Sequence, residues 1–326
     1  MRFTCINVGY GDSFLLECEN SVILVDGGSA LDSEFAASPS RIRSADYLTQ
    51  AGIKRIDILI ITHIHEDHVG GLTVVLKQIP VKKVLIPYDP KLFRNQSIPP
   101  AHENAPENVK LFAQALYRFT DIMQLCENRR IPVEEISMGM CIPVGNSHIR
   151  VLGPAEKDKT AFIEGLQYFF SAPRQDRQNK WFPYLDKISN AASLLLKISY
   201  KDIHLLLCAD NCPSNWDSAI FPLLENVTVL KLPHHGQKDA VNEKIMAMMK
   251  PDYVLTTASS DRRHNSANPA VYELIQKLSG TDKQPVFLFS DGTNYEPYFS
   301  REKPFRAIRI SFGEKGSVPE FIDYDM

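Results

Sequence analysis

Short, nearly continuous apolar runs that stop abruptly at polar residues set the pattern of this chain. Ser21-Val22-Ile23-Leu24-Val25 leads into Asp26-Gly27-Gly28, and Ile56-Asp57-Ile58-Leu59-Ile60-Ile61 ends at Thr62-His63. His204-Leu205-Leu206-Leu207-Cys208-Ala209 ends at Asp210, and Val227-Thr228-Val229-Leu230-Lys231-Leu232 ends at Pro233-His234-His235. Apolar runs of about four to eight residues bounded by turn signals predict strands buried on both faces. Helical patterns fall between them, around residues 41–52, 68–79, 107–127 and 240–249. Strands alternating with helices predict an α/β chain.

The middle departs from this rhythm. Residues 87–106 carry five prolines. Residues 155–190 carry two more, with a mixed basic and aromatic stretch of Arg174, Arg177, Lys180, Trp181, Phe182 and Tyr184. A single domain spanning 1–326 is expected, with excursions at about 87–130 and 155–190, since a compact domain keeps such long connections only for a purpose. The second excursion reads either as a solvated loop with a few packed aromatics or as a lid that contacts substrate.

Composition narrows the options. The 326 residues include 36 basic and 39 acidic side chains, a formal net charge of −3, and 44% are hydrophobic, the balance of a soluble globular protein. That balance excludes a broad basic surface as the main device for holding nucleic acid and leaves room for a local basic groove. No apolar run approaches the roughly 18–20 residues a bilayer span needs. Met1-Arg2-Phe3-Thr4-Cys5-Ile6 passes straight into a strand-like segment without an export signal, so a cytoplasmic location is expected. The six scattered cysteines then read as small core residues, because Cys208 and Cys212 lack the second pair of a zinc ribbon.

The densest chemistry lies in Thr62-His63-Ile64-His65-Glu66-Asp67-His68-Val69-Gly70-Gly71. His63 and His65 alternate, so an extended backbone points both imidazoles to one side. Asp67 and His68 follow where the chain turns into a helix and can address a second point nearby. Imidazole and carboxylate are ligands for divalent ions such as zinc and manganese. Taken alone, Asp210 reads as a helix cap or turn former and His234-His235 as surface residues. Five of the nine histidines nevertheless fall in two short motifs. With Asp210, these motifs stand at the carboxyl ends of predicted strands, where ligands converge on α/β sheets. Of the other histidines, His148 and His204 read as structural, His102 has no evident partner, and His264 beside Arg262 and Arg263 reads as a solvated turn, with anion contact second.

Together these residues resemble the metallo-β-lactamase fold superfamily through its His-x-His-x-Asp-His signature at His63 to His68. Val8-Gly9-Tyr10-Gly11-Asp12-Ser13, Leu24-Val25-Asp26-Gly27-Gly28, Asn190-Ala191-Ala192-Ser193-Leu194 and Leu230-Lys231-Leu232-Pro233-His234-His235-Gly236 resemble, in order, elements of its ComEC-type branch. The resemblance implies an α/β fold built as a four-layer αββα sandwich and a centre for two divalent metal ions, zinc or manganese. By the same resemblance, His63 and His65 hold the first ion, Asp67 and His68 the second, and Asp210 bridges them. One of His234 and His235 is the further ligand, with His235 preferred and His234 then facing substrate. Asp26 orients ligands from behind, Asp12 and Asn190 line the site, and Asn268 either supports the ligands or serves the substrate. The chain departs from the branch at Asn7, at Cys208-Ala209-Asp210 in place of Thr-Gly-Asp, at Gln237, and at Ser266-Ala267-Asn268-Pro269 in place of His-Pro. It also offers no evident third imidazole for the first ion.

The implied activity is hydrolysis by a water activated between two metals, foremost of phosphodiesters in DNA or RNA. Asp67 is expected to orient that water, and His234 to stabilise the oxyanion or protonate the leaving oxygen. The alternatives are a small phosphodiester, such as a cyclic nucleotide or phosphocholine conjugate, then lactam or thioester hydrolysis, and, from another class, a non-catalytic scaffold. Without a membrane span, the chain is not expected to be the uptake channel itself.

Overall fold

In the computed structural model, which describes residues 1–280, 283–292, 294–313 and 317–323, the apolar runs form the parallel centres of two sheets. The first sheet has the order Pro319–Ile322, Ala307–Ser311, Arg2–Ile6, Phe14–Cys18, Ser21–Val25, Ile58–Ile60, Val84–Ile86, Val133–Glu135. Its last four strands run parallel, with Ile23 opposite Ile58 and Val25 opposite Ile60. The second has the order Val286–Phe289, Tyr253–Thr256, Val229–Lys231, Ile203–Leu207, Leu195–Tyr200, Ser147–Gly153, Cys141–Val144. Its first four strands are parallel, Leu205 facing Val229 and Lys231 facing Leu255.

Strand alternation explains the continuous apolar runs. Ile23 and Val25 point into the core between the sheets with Leu196, Leu205, Leu207 and Val229, while Leu24 and Leu59 point outward under helices. Both faces of each central strand are thus buried, as covered parallel strands require. Helices Ser44–Gln50, Leu72–Gln78 and Glu107–Arg129 pack over the first sheet, and Glu243–Met249 and Pro269–Ser279 over the second. The result is the expected layering of helix, sheet, sheet and helix. The helix expected over 68–79 is broken into Glu66–Val69 and Leu72–Gln78 at Gly70-Gly71.

The excursions take a more regular form than their composition suggests. Residues 87–106 are irregular apart from a 3₁₀ turn at Pro90–Phe93, and then join helix Glu107–Arg129. Residues 155–190 are not a solvated loop: Glu156–Ser171 and Phe182–Ser189 are helices, and Phe162, Leu166 and Phe169 recur at helical spacing and are fully buried with Phe182 and Leu185. Much of the basic and aromatic stretch is structural. The Arg177 guanidinium donates to the carbonyls of Phe170 (2.6 Å), Ala172 (2.8 Å) and Ser97 (3.2 Å), and Trp181 stacks on Tyr168. No helix among the described residues is long and apolar enough to cross a membrane.

Candidate metal centre

The carboxyl ends of the parallel strands in both sheets meet at one seam. Val25 is followed by Asp26, Ile60 by the His63–His68 loop, Leu207 by Asp210, Lys231 by His234-His235, and Thr256 by Thr257. The loops from the first sheet stack closely. Gly11 (φ +133°) lets Asp12 N–H donate to the Asp67 carbonyl at 3.1 Å, and a Cβ there would lie 2.3 Å from that oxygen. A Cβ at Gly71 would likewise lie 2.3 Å from the Gly27 carbonyl. From the second sheet, Ala209, His234 and His235 all hold left-handed backbone angles (φ +44°, +50° and +55°). Such angles cost about 1–3 kcal/mol per non-glycine residue and persist where neighbours impose them. Here His234 N–H donates to the Ala209 carbonyl at 3.0 Å, and Ala267 N–H to the His235 carbonyl at 2.9 Å.

Two groups of donors result, sharing Asp210. Asp67, His68, Asp210 and His235 form one, and His63, His65 and Asp210 form the other. In the first-named group, His235 Nε2 lies 3.0 Å from Asp67 Oδ2 and 3.3 Å from Asp210 Oδ1, and His68 Nε2 lies 3.4 Å from Asp210 Oδ1. In the other, His63 Nε2 is 3.2 Å from His65 Nδ1 and 3.9 Å from Asp210 Oδ2. Ligand bonds of about 2.0–2.2 Å in a tetrahedron would set donors about 3.4 Å apart. His68 Nε2, His235 Nε2 and Asp210 Oδ1 are buried and have no hydrogen-bond partner among the described residues. Three unsatisfied buried atoms aimed at one point fit a divalent cation, since buried polar groups otherwise find partners.

The residues behind the donors fix which nitrogen faces inward. His68 Nδ1 is 2.8 Å from Asp26 Oδ2, and Asp26 also accepts from Thr62 N–H (2.8 Å) and Thr62 Oγ1 (2.6 Å). His235 Nδ1 is 2.7 Å from the Thr257 carbonyl. In both rings the outer nitrogen serves as donor, which turns Nε2 toward the cluster, where a bound cation would displace its proton, the usual role of partners behind metal ligands. Asp12 sits fully buried behind the centre and does not line it openly: its carboxylate lies 2.6 Å from Lys231 Nζ and accepts from Thr257 Oγ1 at 2.6 Å.

Charge matches this purpose. Burial, with His68 and His65 close by, holds His63 well below the usual imidazole pKa, so it stays a neutral donor. Burial opposes charge on His68, but Asp67, Asp210 and Asp26 outweigh it and hold the ring well above its usual value. Burial is similarly outweighed at His235, chiefly by Asp210, and its pKa rises to about 9. Burial would raise Asp67 and Asp210, yet the two imidazoles hold both carboxylates below their usual range.

A pH dependence follows for the metal-free protein. Because the folded pKa of His235 exceeds the ordinary 6.5, its contribution to stability is complete below that value and is lost as pH rises through about 9. Protein treated with chelator is therefore expected to show a denaturation midpoint that falls between pH 6.5 and 9, and loading with metal should flatten that fall. A flat profile in chelator would contradict this charge assignment.

The structure thus gathers His63, His65, Asp67, His68, Asp210 and His235, with Asp26 and Asp12 behind them. His234 turns out of the cluster onto the cleft wall, its Nε2 3.1 Å from Asn190 Nδ2 and its Nδ1 3.5 Å from Asp239 Oδ1. Asn268 is not among the residues walling the cleft: its carboxamide oxygen accepts from Ala270 N–H at 3.1 Å and caps helix Pro269–Ser279. Three participants have no role assigned from the sequence, although Lys231 stands in the Leu230–Gly236 element. Lys231 neutralises Asp12 from within a strand, Thr257 orients His235, and Asp186, 3.5 Å from His65 Nε2, is delivered by helix Phe182–Ser189 of the second excursion. A cleft of about 470 Å³ opens over the centre, walled by Tyr10, Lys187, Asn190, His234, Arg263 and His264. A larger groove of about 690 Å³ beside Tyr117 holds none of the clustered donors.

Residues 6–110 match the metallo-β-lactamase superfamily. The chain is 22% identical over 288 residues to ComE operon protein 3 of Bacillus subtilis (strain 168), covering 84% of this chain and about 30% of the length of that relative. Among solved structures, the metallo-β-lactamase fold protein YhfI of Bacillus subtilis is 12% identical at a TM-score of 0.46, covering 89% of this chain and 96% of that one. A diphosphatase of the PhnP family is 12% identical at a TM-score of 0.43, covering 93% and 100% respectively. The superfamily is one of metal-dependent hydrolases. These matches lead to one assignment: residues 6–110 carry the metallo-β-lactamase domain match, and most of the chain is homologous to part of ComE operon protein 3.

Proposed function

We propose that the chain is a two-metal phosphodiesterase, with a DNA or RNA strand as its foremost substrate. The observation that carries this reading is the pair of donor groups joined through Asp210 at the floor of an open cleft. His63, His65 and Asp210 would hold one ion, and Asp67, His68, Asp210 and His235 the other. Bound there, two divalent ions would lower the pKa of a water and neutralise charge on a phosphoryl group. The chain's own side chains supply the rest. Asp67 is the ligand carboxylate most open to the cleft, and its depressed pKa keeps it an acceptor that can orient the attacking water. Burial, with Asp67 and Asp210 nearby, keeps the Tyr10 hydroxyl protonated, suited to donate to a phosphoryl oxygen. Lys187, Arg263 and His264 add positive charge or donors along the walls. Both ring nitrogens of His234 already have neighbours, so a supporting role suits it better than direct proton donation.

A second reading, a small phosphodiester, is favoured by the internal use of Arg177 and by Glu107 and Asp186 on the cleft wall, which leave little continuous basic surface for a polymer. Incubation of the purified protein with single- and double-stranded DNA, RNA and bis(p-nitrophenyl) phosphate, with added manganese or zinc, separates the two. Strand cleavage is expected. Turnover of the small ester alone would favour the second reading, and no turnover at full metal occupancy would overturn both.

A further inference from the structure

The two donor groups are unequal. With Asp210 shared, one has four side chains and the other three, His63, His65 and Asp210. A divalent transition ion bound by protein side chains usually takes at least four ligands, or three and a water. Asn190 stands next to the poorer group. Ser189 Oγ donates to the Ile64 carbonyl at 3.4 Å and Leu194 N–H to the Thr62 carbonyl at 3.1 Å, so its segment runs along the loop that carries His63 and His65. Asn190 also walls the same cleft as His65 and Asp210. Its carboxamide oxygen is buried and has no hydrogen-bond partner among the described residues.

The amide is oriented by a chain of contacts. Asp239 Oδ1 lies 3.5 Å from His234 Nδ1 and, as an acceptor, keeps the ring proton on that nitrogen. Nε2 is then left with a lone pair and accepts from Asn190 Nδ2 at 3.1 Å. With its nitrogen committed to His234, the amide turns its oxygen the other way. We propose that the Asn190 carboxamide oxygen completes the first metal site beside His63, His65 and Asp210, with His234 and Asp239 as positioning residues that hold it there. This rests on the reading of the cluster as a two-metal centre. A carboxamide oxygen is a harder donor than imidazole, so the first site should discriminate less strongly against manganese than a site with a third imidazole would.

The test is manganese binding, with stoichiometry and the electron paramagnetic resonance signal of a coupled ion pair as readouts that need no turnover. The wild-type protein should bind two ions and show the pair signal. Asn190→Ala should weaken one ion by about 100-fold or more, beyond the roughly 10–100-fold lost when a residue behind a ligand is removed, and should leave the signal of an isolated ion. Asn190→Asp, which keeps an oxygen in place, should restore the pair, and Asn190→His should move the preference toward zinc. His234→Ala should cost about 10–100-fold, and His234→Gln, whose oxygen can still accept from Asn190, should cost less. Two ions bound by Asn190→Ala with wild-type affinity would overturn the inference and leave the two-metal reading standing, as would equal loss in the Ala and Asp variants. A wild-type protein that binds no ion pair would overturn both.

Discussion

Asp210→Ala is expected to abolish hydrolysis, with turnover falling by more than the roughly 10²–10³-fold lost with a single electrostatic donor. Asp210 is the one side chain present in both donor groups, with Oδ1 near His68 and His235 and Oδ2 on the side of His63. Its loss would weaken both ions together and also leave the imidazoles of His68 and His235 with one fewer counter-charge. Asp210→Asn keeps the shape and one lone-pair oxygen, and should retain more metal than the alanine variant. Steady-state turnover on whichever phosphodiester the wild type cleaves is the measurement. A rate within tenfold of wild type for Asp210→Ala would remove Asp210 from the centre.

The second large effect is on stability. Arg41 is buried among carboxylates, its Nη1 2.6 Å from Glu34 Oε1 and its Nη2 2.8 Å from Asp291 Oδ2, with all three side chains at most 3% exposed. Glu34 also accepts from Tyr10 N–H at 3.0 Å, and Asp291 from Ser260 N–H at 2.8 Å, so the ion triad ties together two loops beside the cleft. Arg41→Met would leave the buried carboxylate of Asp291 without its cation and Glu34 with Arg263 alone. That is expected to cost about 3–5 kcal/mol, the range for breaking a buried ion pair from one side. Replacing all three residues with apolar or neutral ones should cost less than Arg41→Met alone, because it removes the stranded charges. Denaturant titration measures both. A cost below about 1 kcal/mol for Arg41→Met, or a larger cost for the triple replacement, would show that these charges are solvated rather than interdependent.

The same physics explains how far the sequence could be read. Runs such as Ser21–Val25 and Ile58–Ile60 had to be strands covered on both faces, and abrupt polar endings marked the sheet edge where Asp26, His63, Asp210 and His235 meet. Local spacing was informative because His63 and His65 lie on the loop that leaves strand Ile58–Ile60, and Asp67 and His68 on the helix Glu66–Val69 that follows it. What stayed hidden depends on partners distant in the chain. Lys231 interrupts an apolar run, and its role depends on Asp12, far from it in sequence and 2.6 Å away. Asp186 gains meaning only because a helix in the second excursion packs beside His65. The sequence leaves that excursion open between loop and lid because proline and mixed charge obscure the period of Phe162, Leu166 and Phe169. Asn268 invited a functional reading by its place in a motif, whereas Asn followed by Pro is also a helix-start signal, and that is the use made of it. Left-handed angles at Ala209, His234 and His235 have no signature in these residue types and are imposed by the packing of the loops.

Anomalous diffraction from crystals soaked in manganese tests the central claim most directly. The account predicts two peaks a few ångströms apart, one bordered by Asp67, His68 and His235, the other by His63 and His65, with Asp210 touching both. A single peak, or ions bound only elsewhere, for instance between Cys212, His234 and Asp239, would contradict it.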